Sequence, residues 1–283
     1  IKIAVLSTGI TRHRPLFRQA MRPIKTMVNF IKSGSPTDIN DVEGHGTTMA
    51  QVLLKACPVA EIYVAKVAQT IHEPETDHAI AKAIIWATEH CDVDIIVMPF
   101  GFKKSHETID KAILFAHEKS KVMFAPAGHE GPDGPRAYPA RSPFVIAMHI
   151  ADGYGRDAGF NPSPLEHDDN FSTLGFALVP DIWGPRQVLR SGADVAVAVA
   201  TGIAACLLEY ALSMLPLTSS DDKQWLCSSD GIRELLRLVS TKKDGYRFIA
   251  PWLVWGEDNT ANDVRDLLMA IVQRRKVLKG RST

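Results

Sequence analysis

The chain has 283 residues, of which 46% are hydrophobic, 7% are aromatic and 23% are charged. This composition is ordinary for a soluble globular protein, and the length allows one large domain or two small ones. The 32 Lys and Arg residues balance 32 Asp and Glu residues, so the formal net charge is zero. That balance excludes a global electrostatic field that would attract nucleic acid or an anionic membrane.

Two local features bear on these partner classes. The basic run from Arg274 to Arg281 has no interleaved aromatic residues, so we interpret it as a solvated tail and expect no nucleic-acid partner. The apolar run over residues 195–215 is long enough to suggest a membrane span. Asp194 at its start, Glu209 inside it and its many small residues favour a buried central helix instead, so we expect no membrane partner.

The cysteines indicate the redox environment. Cys57, Cys91, Cys206 and Cys227 are scattered, and none forms a CxxC pair. We therefore expect buried free thiols in a reducing compartment, hence a cytoplasmic protein, and no metal cluster of cysteines. Residues 1–6 already have an apolar strand pattern, so we expect either a chain without a signal peptide or an excised domain.

In chain order, strand-like apolar runs alternate with helical patterns. The predicted strands are residues 1–6, 25–31, 61–66, 93–98, 121–125 and 144–149. The predicted helices are residues 45–56, 77–90, 105–119, 194–215, 231–240 and 262–276. Residues 151–187 are rich in Gly, Pro and Asp, which predicts loops with short strands at most. The alternation predicts an α/β fold with a mostly parallel central sheet and helices on both faces.

Polar and glycine-rich stretches follow three of the predicted strands: Ser7-Thr8-Gly9, Pro99-Phe100-Gly101, and residues 127–131 (Ala-Gly-His-Glu-Gly). Active sites of parallel sheets lie beyond the carboxyl ends of the strands, so we expect these stretches to converge. A histidine between two glycines, Gly44-His45-Gly46, stands at the start of a predicted helix. The glycines permit a tight turn and leave room above the imidazole.

Taken together and in this order, these stretches resemble the subtilisin-like serine proteases, the subtilases. That family has Asp-Thr-Gly or Asp-Ser-Gly at the end of its first strand, where this chain has Ser7-Thr8-Gly9. Its Gly-His-Gly-Thr-His motif corresponds to residues 44–48, which keep His45. Its Ala-Gly-Asn-Glu-Gly motif corresponds to residues 127–131, and its Ser-Gly-Thr-Ser-x-Ala motif to residues 191–196. Its Met-Ser-x-Gly strand end corresponds to residues 98–101.

The resemblance covers about residues 1–212 and implies the three-layer subtilisin-like fold. We therefore expect a subtilisin-like domain over residues 1–215 and a helical C-terminal extension over residues 216–283, packed on the same domain. Residues 160–162 (Phe-Asn-Pro) and 169–172 (Asp-Asn-Phe-Ser) also resemble a branch of intracellular fungal subtilase domains. Some members of that branch are parts of larger multidomain proteins, and this chain could likewise be part of one.

The resemblance also implies that three functional positions have changed. Asp194 stands where the family has its nucleophilic serine, Ser7 where it has the carboxylate that orients the histidine, and His129 where an asparagine stabilises the oxyanion. Loss of the nucleophile costs about 10⁶-fold in turnover, and loss of an oxyanion donor about 10² to 10³-fold. We therefore predict that the chain has no serine-protease activity.

Three interpretations of the altered site remain open. In the first, the chain is a pseudoprotease that binds a peptide in the old substrate groove. In the second, His45 and Asp194 carry out acid–base chemistry on a small molecule, such as a cyclisation, condensation, elimination or isomerisation. Ser7 as nucleophile of an inverted triad is not expected, because the family buries that position behind the histidine.

In the third interpretation, His45, His129 and Asp194 converge on a metal ion. We favour a hydrogen-bonded His–Asp–His cluster without metal, and expect no cofactor. The residues predicted to contact a ligand are Pro99, Phe100, Gly101, Gly128 and Glu130. Asp41 and Glu43, just before the central histidine, are expected to be solvated.

Overall fold

The computed structural model describes residues 1–11, 23–32, 35–70, 76–157, 159–175, 179–181, 188–190, 192–217, 219–256 and 258–279. Within these ranges the strands are β1 Lys2–Ser7, β2 Ile24–Asn29, β3 Glu61–Lys66, β4 Ile95–Val97, β5 Val122–Pro126, β6 Ile146–Ala151, β7 Phe171–Leu174, β8 Val179–Asp181, β9 Val188–Arg190, β10 Ser240–Lys243 and β11 Tyr246–Ile249. The α-helices are α1 His45–Ala56, α2 Asp77–Glu89, α3 Glu107–Glu118, α4 Ala193–Met214, α5 Ser220–Leu226, α6 Ser229–Leu238 and α7 Ala261–Lys279, and Pro251–Leu253 form a 3₁₀ turn.

Nine of these strands form one sheet in the order β10-β11-β7-β6-β5-β4-β1-β3-β2. Every neighbouring pair is parallel except the β10–β11 hairpin at one edge. The strands β8 and β9 form a separate antiparallel pair. The predicted α/β fold with a mostly parallel sheet is confirmed.

Helices cover both faces of the sheet, as the continuous apolar runs in the strands require. Ile3 and Val5 of β1 face a core that includes residues of α1, α4, α6 and α7. Ala4 and Leu6, on the opposite face of the same strand, join residues of α2 and α3 in a second core. The structure therefore has the three layers that the resemblance implies.

The central helix α4 explains the long apolar run. It is long and apolar enough to cross a membrane, but 67% of its most apolar 18-residue stretch is buried inside the protein. Small residues let neighbouring elements approach it closely. A Cβ added at Gly202 would lie 2.4 Å from the Cβ of Ala56, so α1 and α4 pack almost backbone to backbone. The predicted buried central helix is thus what the structure contains.

The segment after Pro216 differs from the helical prediction in two ways. The short helix α5 lies between the predicted helices 194–215 and 231–240, and the hairpin β10–β11 extends the sheet by pairing β11 in parallel with β7. The strand β10 (Ser-Thr-Lys-Lys) has no apolar alternation. The turn Asp244-Gly245 does carry a hairpin signal, since both residues have positive φ angles, 51° and 85°. Leu235 of α6 and Leu268 of α7 join the same core as α4.

Strand β6 carries a fully buried histidine. His149 donates through Nδ1 to the Phe171 carbonyl at 2.9 Å, and its ring packs 5.0 Å from that of Tyr246. Its Nε2 has no hydrogen-bond partner among the described residues. Burial, only partly opposed by the bond to Phe171, lowers the pKa of His149 from 6.5 to about 4, because the charged ring would lose its hydration. The imidazole is therefore neutral in the folded protein at pH 7.

We expect His149 to make the fold sensitive to mild acid. The unfolded chain protonates this ring near pH 6.5 and the folded protein only near pH 4, so the unfolded state binds more protons between these values. The free energy of unfolding should fall as the pH drops through this window, by roughly 3 kcal/mol from this residue. Urea unfolding of His149→Gln should show a flatter pH dependence, whereas the exposed His90→Gln should follow the wild type. Equal pH dependence in both variants would contradict this account.

Candidate functional site

The ends of three elements meet at one point beyond the carboxyl edge of the sheet. β1 ends at Ser7, α1 begins at His45, and the first turn of α4 carries Asp194. Ser7 Oγ lies 2.8 Å from His45 Nδ1, and Asp194 Oδ2 lies 2.6 Å from His45 Nε2. The imidazole is buried, while 27% of the Asp194 side chain is exposed. The structure therefore joins Ser7, His45 and Asp194 into one hydrogen-bonded row.

Two glycines allow this row to form. Gly44 caps α1 with φ 86°, a left-handed conformation that favours glycine. Gly46 lies against the end of β1, where an added Cβ would come within 2.3 Å of the Gly9 carbonyl oxygen and 3.2 Å of Ser7 Cβ. Because Gly46 has no side chain, the first turn of α1 can sit directly on β1. That contact brings the His45 ring next to Ser7.

The structure corrects the expectation that Asp41 is solvated, because its side chain is buried at 1% exposure. Its Oδ1 accepts from Thr8 Oγ1 at 2.8 Å and from the Gly44 N–H at 2.7 Å. Its Oδ2 accepts from the Thr47 N–H at 2.8 Å and from Thr47 Oγ1 at 2.6 Å. This carboxylate ties the end of β1 to the first turn of α1, so it positions the histidine without touching it. Glu43 is half-buried.

Asp194 lies where the dipole of α4 favours a carboxylate. Its Oδ1 accepts from the Val195 N–H at 3.0 Å, while Oδ2 faces His45. Burial alone would raise the pKa of this carboxyl, but the hydrogen bond to His45, the electrostatic attraction of that ring and the Val195 N–H together hold it below its usual value. A Cβ at Gly192 would lie 2.1 Å from Oδ1, so glycine leaves room for the carboxylate. Ser191, the first residue of this motif, lies outside the described residues.

A cleft of about 680 Å³ opens beside the His45–Asp194 pair, within the size range of ligand pockets. All five residues predicted to contact a ligand line it, namely Pro99, Phe100, Gly101, Gly128 and Glu130. The sequence interpretation missed other lining residues, among them Phe102, Lys103, Arg136, Arg141, Ile150 and Phe160. Arg136 and Arg141 had no motif around them, and only the folded chain brings them to the cleft.

His129 lies in the wall of the same cleft and is exposed. The structure does not gather it with His45 and Asp194 into a metal site. Among the residues that the structure describes, no group of three His, Cys, Asp or Glu side chains is arranged to hold a metal ion. The next residue, Glu130, pairs with Lys103 at 3.0 Å across the cleft rim.

Both a family model and individual known proteins match this chain. The model of the subtilase family, Peptidase_S8, matches residues 1–173. This chain belongs to the subtilase family. The subtilisin-like protease het-Q2 of Podospora anserina is 27% identical over 188 residues, which are 62% of this chain and 51% of that protein. The chain thus spans about half the length of this curated relative, and less of two bacterial ones.

Solved structures show the same fold. The prenylagaramide maturation protease PagA has a TM-score of 0.66 at 17% identity, with 95% of this subtilase and 94% of that chain covered. A cold-adapted subtilisin-like serine proteinase has a TM-score of 0.69 at 15% identity, with 88% of each chain covered. At such low identity these likenesses establish the architecture alone.

The buried carboxylate of Asp41 provides a test of how the site is built. In Asp41→Asn, one acceptor oxygen becomes an NH₂ group that faces an N–H of Gly44 or Thr47, which leaves a buried donor unsatisfied. We expect the free energy of unfolding in urea to fall by about 2–3 kcal/mol.

The matched control is Asp38→Asn, since Asp38 is exposed and, among the described residues, its side chain accepts the Asn40 N–H at 3.3 Å. Its free energy of unfolding should stay within about 0.5 kcal/mol of the wild type. A change of similar size in both variants would show that Asp41 does not anchor the start of α1.

Proposed function

We propose that this subtilase binds a peptide in the cleft beside His45 without cleaving it through a serine nucleophile. The main support for this proposal is the hydrogen bond of 2.6 Å between Asp194 Oδ2 and His45 Nε2. In the active family that nitrogen takes the proton of a serine hydroxyl. Here it faces a carboxylate with a low pKa, which has no proton to give.

Ser7 does not replace the missing nucleophile. It is buried at 4% exposure and contacts His45 Nδ1, on the side of the ring away from Asp194. The space beside it measures about 20 Å³, which is room for one water molecule. A peptide carbonyl therefore has no access to this hydroxyl.

The surroundings of Asp194 also oppose amide hydrolysis. A tetrahedral intermediate formed beside this residue would place an oxyanion next to the carboxylate, and the two negative charges would repel each other. The side chain at position 129 is an exposed histidine instead of the amide donor that the family motif carries. Amide hydrolysis at this site thus has neither a serine nucleophile nor a favourable electrostatic field for the oxyanion.

The cleft itself suits a peptide with a large apolar side chain. Phe100, Phe102, Ile150 and Phe160 supply apolar lining, while charged side chains such as Lys103 lie at the rim. Two backbone hydrogen bonds between Phe102 and Tyr138, of 2.7 and 2.9 Å, keep this wall of the cleft in an extended conformation. Gly101 is exposed between the two phenylalanines, so a peptide strand can reach its backbone.

Acid–base catalysis on a small molecule is a second candidate, favoured by one observation. The His45–Asp194 pair lies in the wall of an apolar cleft, with part of the carboxylate exposed. A fixed imidazole–carboxylate pair can relay a proton. The conversion of a metabolite, abolished in both His45→Ala and Asp194→Ala, would support this candidate over peptide binding.

Peptide binding can be measured directly by fluorescence polarisation with a pool of labelled, end-capped peptides rich in Phe and Leu. A Cβ at Gly101 would already lie 3.0 Å from Ala137 Cβ, so Gly101→Val narrows the cleft, and affinity should fall at least about tenfold. The control is Gly153→Val, because an added Cβ there meets nothing within 4 Å. Equal binding by both variants, or cleavage of the peptides by the wild type, would contradict the proposal.

Restoring the family residues tests whether the cleft keeps substrate geometry. The triple variant Ser7→Asp, His129→Asn, Asp194→Ser should hydrolyse peptides that the wild type only binds, since a missing nucleophile alone costs about 10⁶-fold. Adding His45→Ala to this variant should abolish the activity. A folded triple variant that binds the peptides but leaves them intact would show that the catalytic geometry has been lost.

A further inference from the structure

The helices α1 and α4 run side by side away from the site. They are joined at their beginnings by the His45–Asp194 bond. Cys57 follows His45 by the same number of residues as Cys206 follows Asp194. At a rise of 1.5 Å per residue, both cysteines lie about 18 Å along the helix axes from the site. The two thiols therefore lie at about the same distance from the site along the two helices.

The packing of the helices brings these thiols together. Gly202 lies against α1, where its added Cβ would come within 2.4 Å of Ala56 Cβ and 3.2 Å of the Leu53 carbonyl oxygen. Cys206 is one turn beyond Gly202, on the same face of α4. Its Sγ donates to the Ala56 carbonyl at 3.2 Å, next to Cys57, and the two thiols interact directly.

We propose that Cys57 and Cys206 form a reversible disulfide, a modification site that links the two helices carrying His45 and Asp194. Both cysteines are free in the structure, which is then the reduced form. Cys57 is fully buried, so an oxidant must be small and uncharged and must enter past the half-buried Cys206, and we name hydrogen peroxide.

The two thiols have different roles. The contact with the Cys206 thiol, with the N–H groups of Val59 and Ala60, outweighs burial and lowers the pKa of Cys57 to about 7. The same contact with Cys57, together with burial, raises the pKa of Cys206. Cys57 thus ionises more readily than Cys206 and attacks the oxidant, and Cys206 is the thiol that resolves the intermediate.

The chemistry balances with one equivalent of hydrogen peroxide. The Cys57 thiolate attacks one peroxide oxygen, the O–O bond breaks, and hydroxide leaves and becomes water, which gives a sulfenic acid. The Cys206 sulfur then attacks the sulfenic sulfur, the S–O bond breaks, and the hydroxyl leaves as water with the Cys206 proton. Two thiols are oxidised and the peroxide is reduced to two water molecules.

The remaining cysteines serve as internal controls. Burial raises the pKa of Cys91 to about 11 and also raises that of Cys227, so both stay protonated near pH 7. A thiol reacts with peroxide far more slowly than a thiolate. Oxidation at pH 7 should therefore select the Cys57–Cys206 pair.

The test is to treat the purified protein with one to two equivalents of hydrogen peroxide and to record its intact mass and a non-reducing peptide map. We expect a loss of about 2 Da and a peptide linking Cys57 to Cys206, both reversed by dithiothreitol. The melting temperature of the linked protein should rise on the order of 5–10 °C. The crosslink should persist in Cys91→Ser and Cys227→Ser, and disappear in Cys57→Ser and Cys206→Ser.

The wild-type map alone decides the proposal, even if a variant fails to fold. A folded, peroxide-treated protein without this peptide, with a crosslink between other cysteines, or with Cys57 taken to a sulfinic acid, would overturn it. None of these outcomes depends on whether the cleft binds a peptide.

Discussion

The contact between the first turn of α1 and the end of β1 is the constraint on which the site depends. Gly46 removes the side chain that would keep the two apart, and the buried carboxylate of Asp41 ties them through Thr8, Gly44 and Thr47. Once this junction is fixed, His45 can point only between Ser7 and the start of α4. The sheet and the central helix then place Asp194 at its other nitrogen.

The subtilase architecture does not depend on the row Ser7–His45–Asp194. The core is built from interdigitated apolar side chains on both faces of the sheet, and none of them takes part in this row. The carboxylate of Asp194 is stabilised by the dipole of α4 and by its hydrogen bond with His45. The fold leaves the residues of this row free to vary, because the energies that hold the fold lie in the apolar core.

Sequence patterns predicted the sheet, the helices and the cleft well where periodicity or a motif marked them. The helix from His45 and the long helix from about residue 194 begin within a residue of their predicted starts. The burial of Asp41 and His149 was not predictable from pattern, because both depend on donors and rings brought from distant elements. Arg136 and Arg141 reach the cleft for the same reason. The β10–β11 hairpin was missed because β10 (Ser-Thr-Lys-Lys) lacks apolar alternation, although Asp244-Gly245 marked its turn.

We propose that no activated serine exists at this site. A fluorophosphonate probe tests it most directly, since it phosphonylates only a serine whose hydroxyl a histidine activates and whose Oγ is accessible. Mass spectrometry of the probe-treated, folded protein should find no adduct on Ser7 or on any other serine. An adduct on Ser7 that disappears in His45→Ala would show that the row Ser7–His45–Asp194 works as a reversed triad, and would contradict the account.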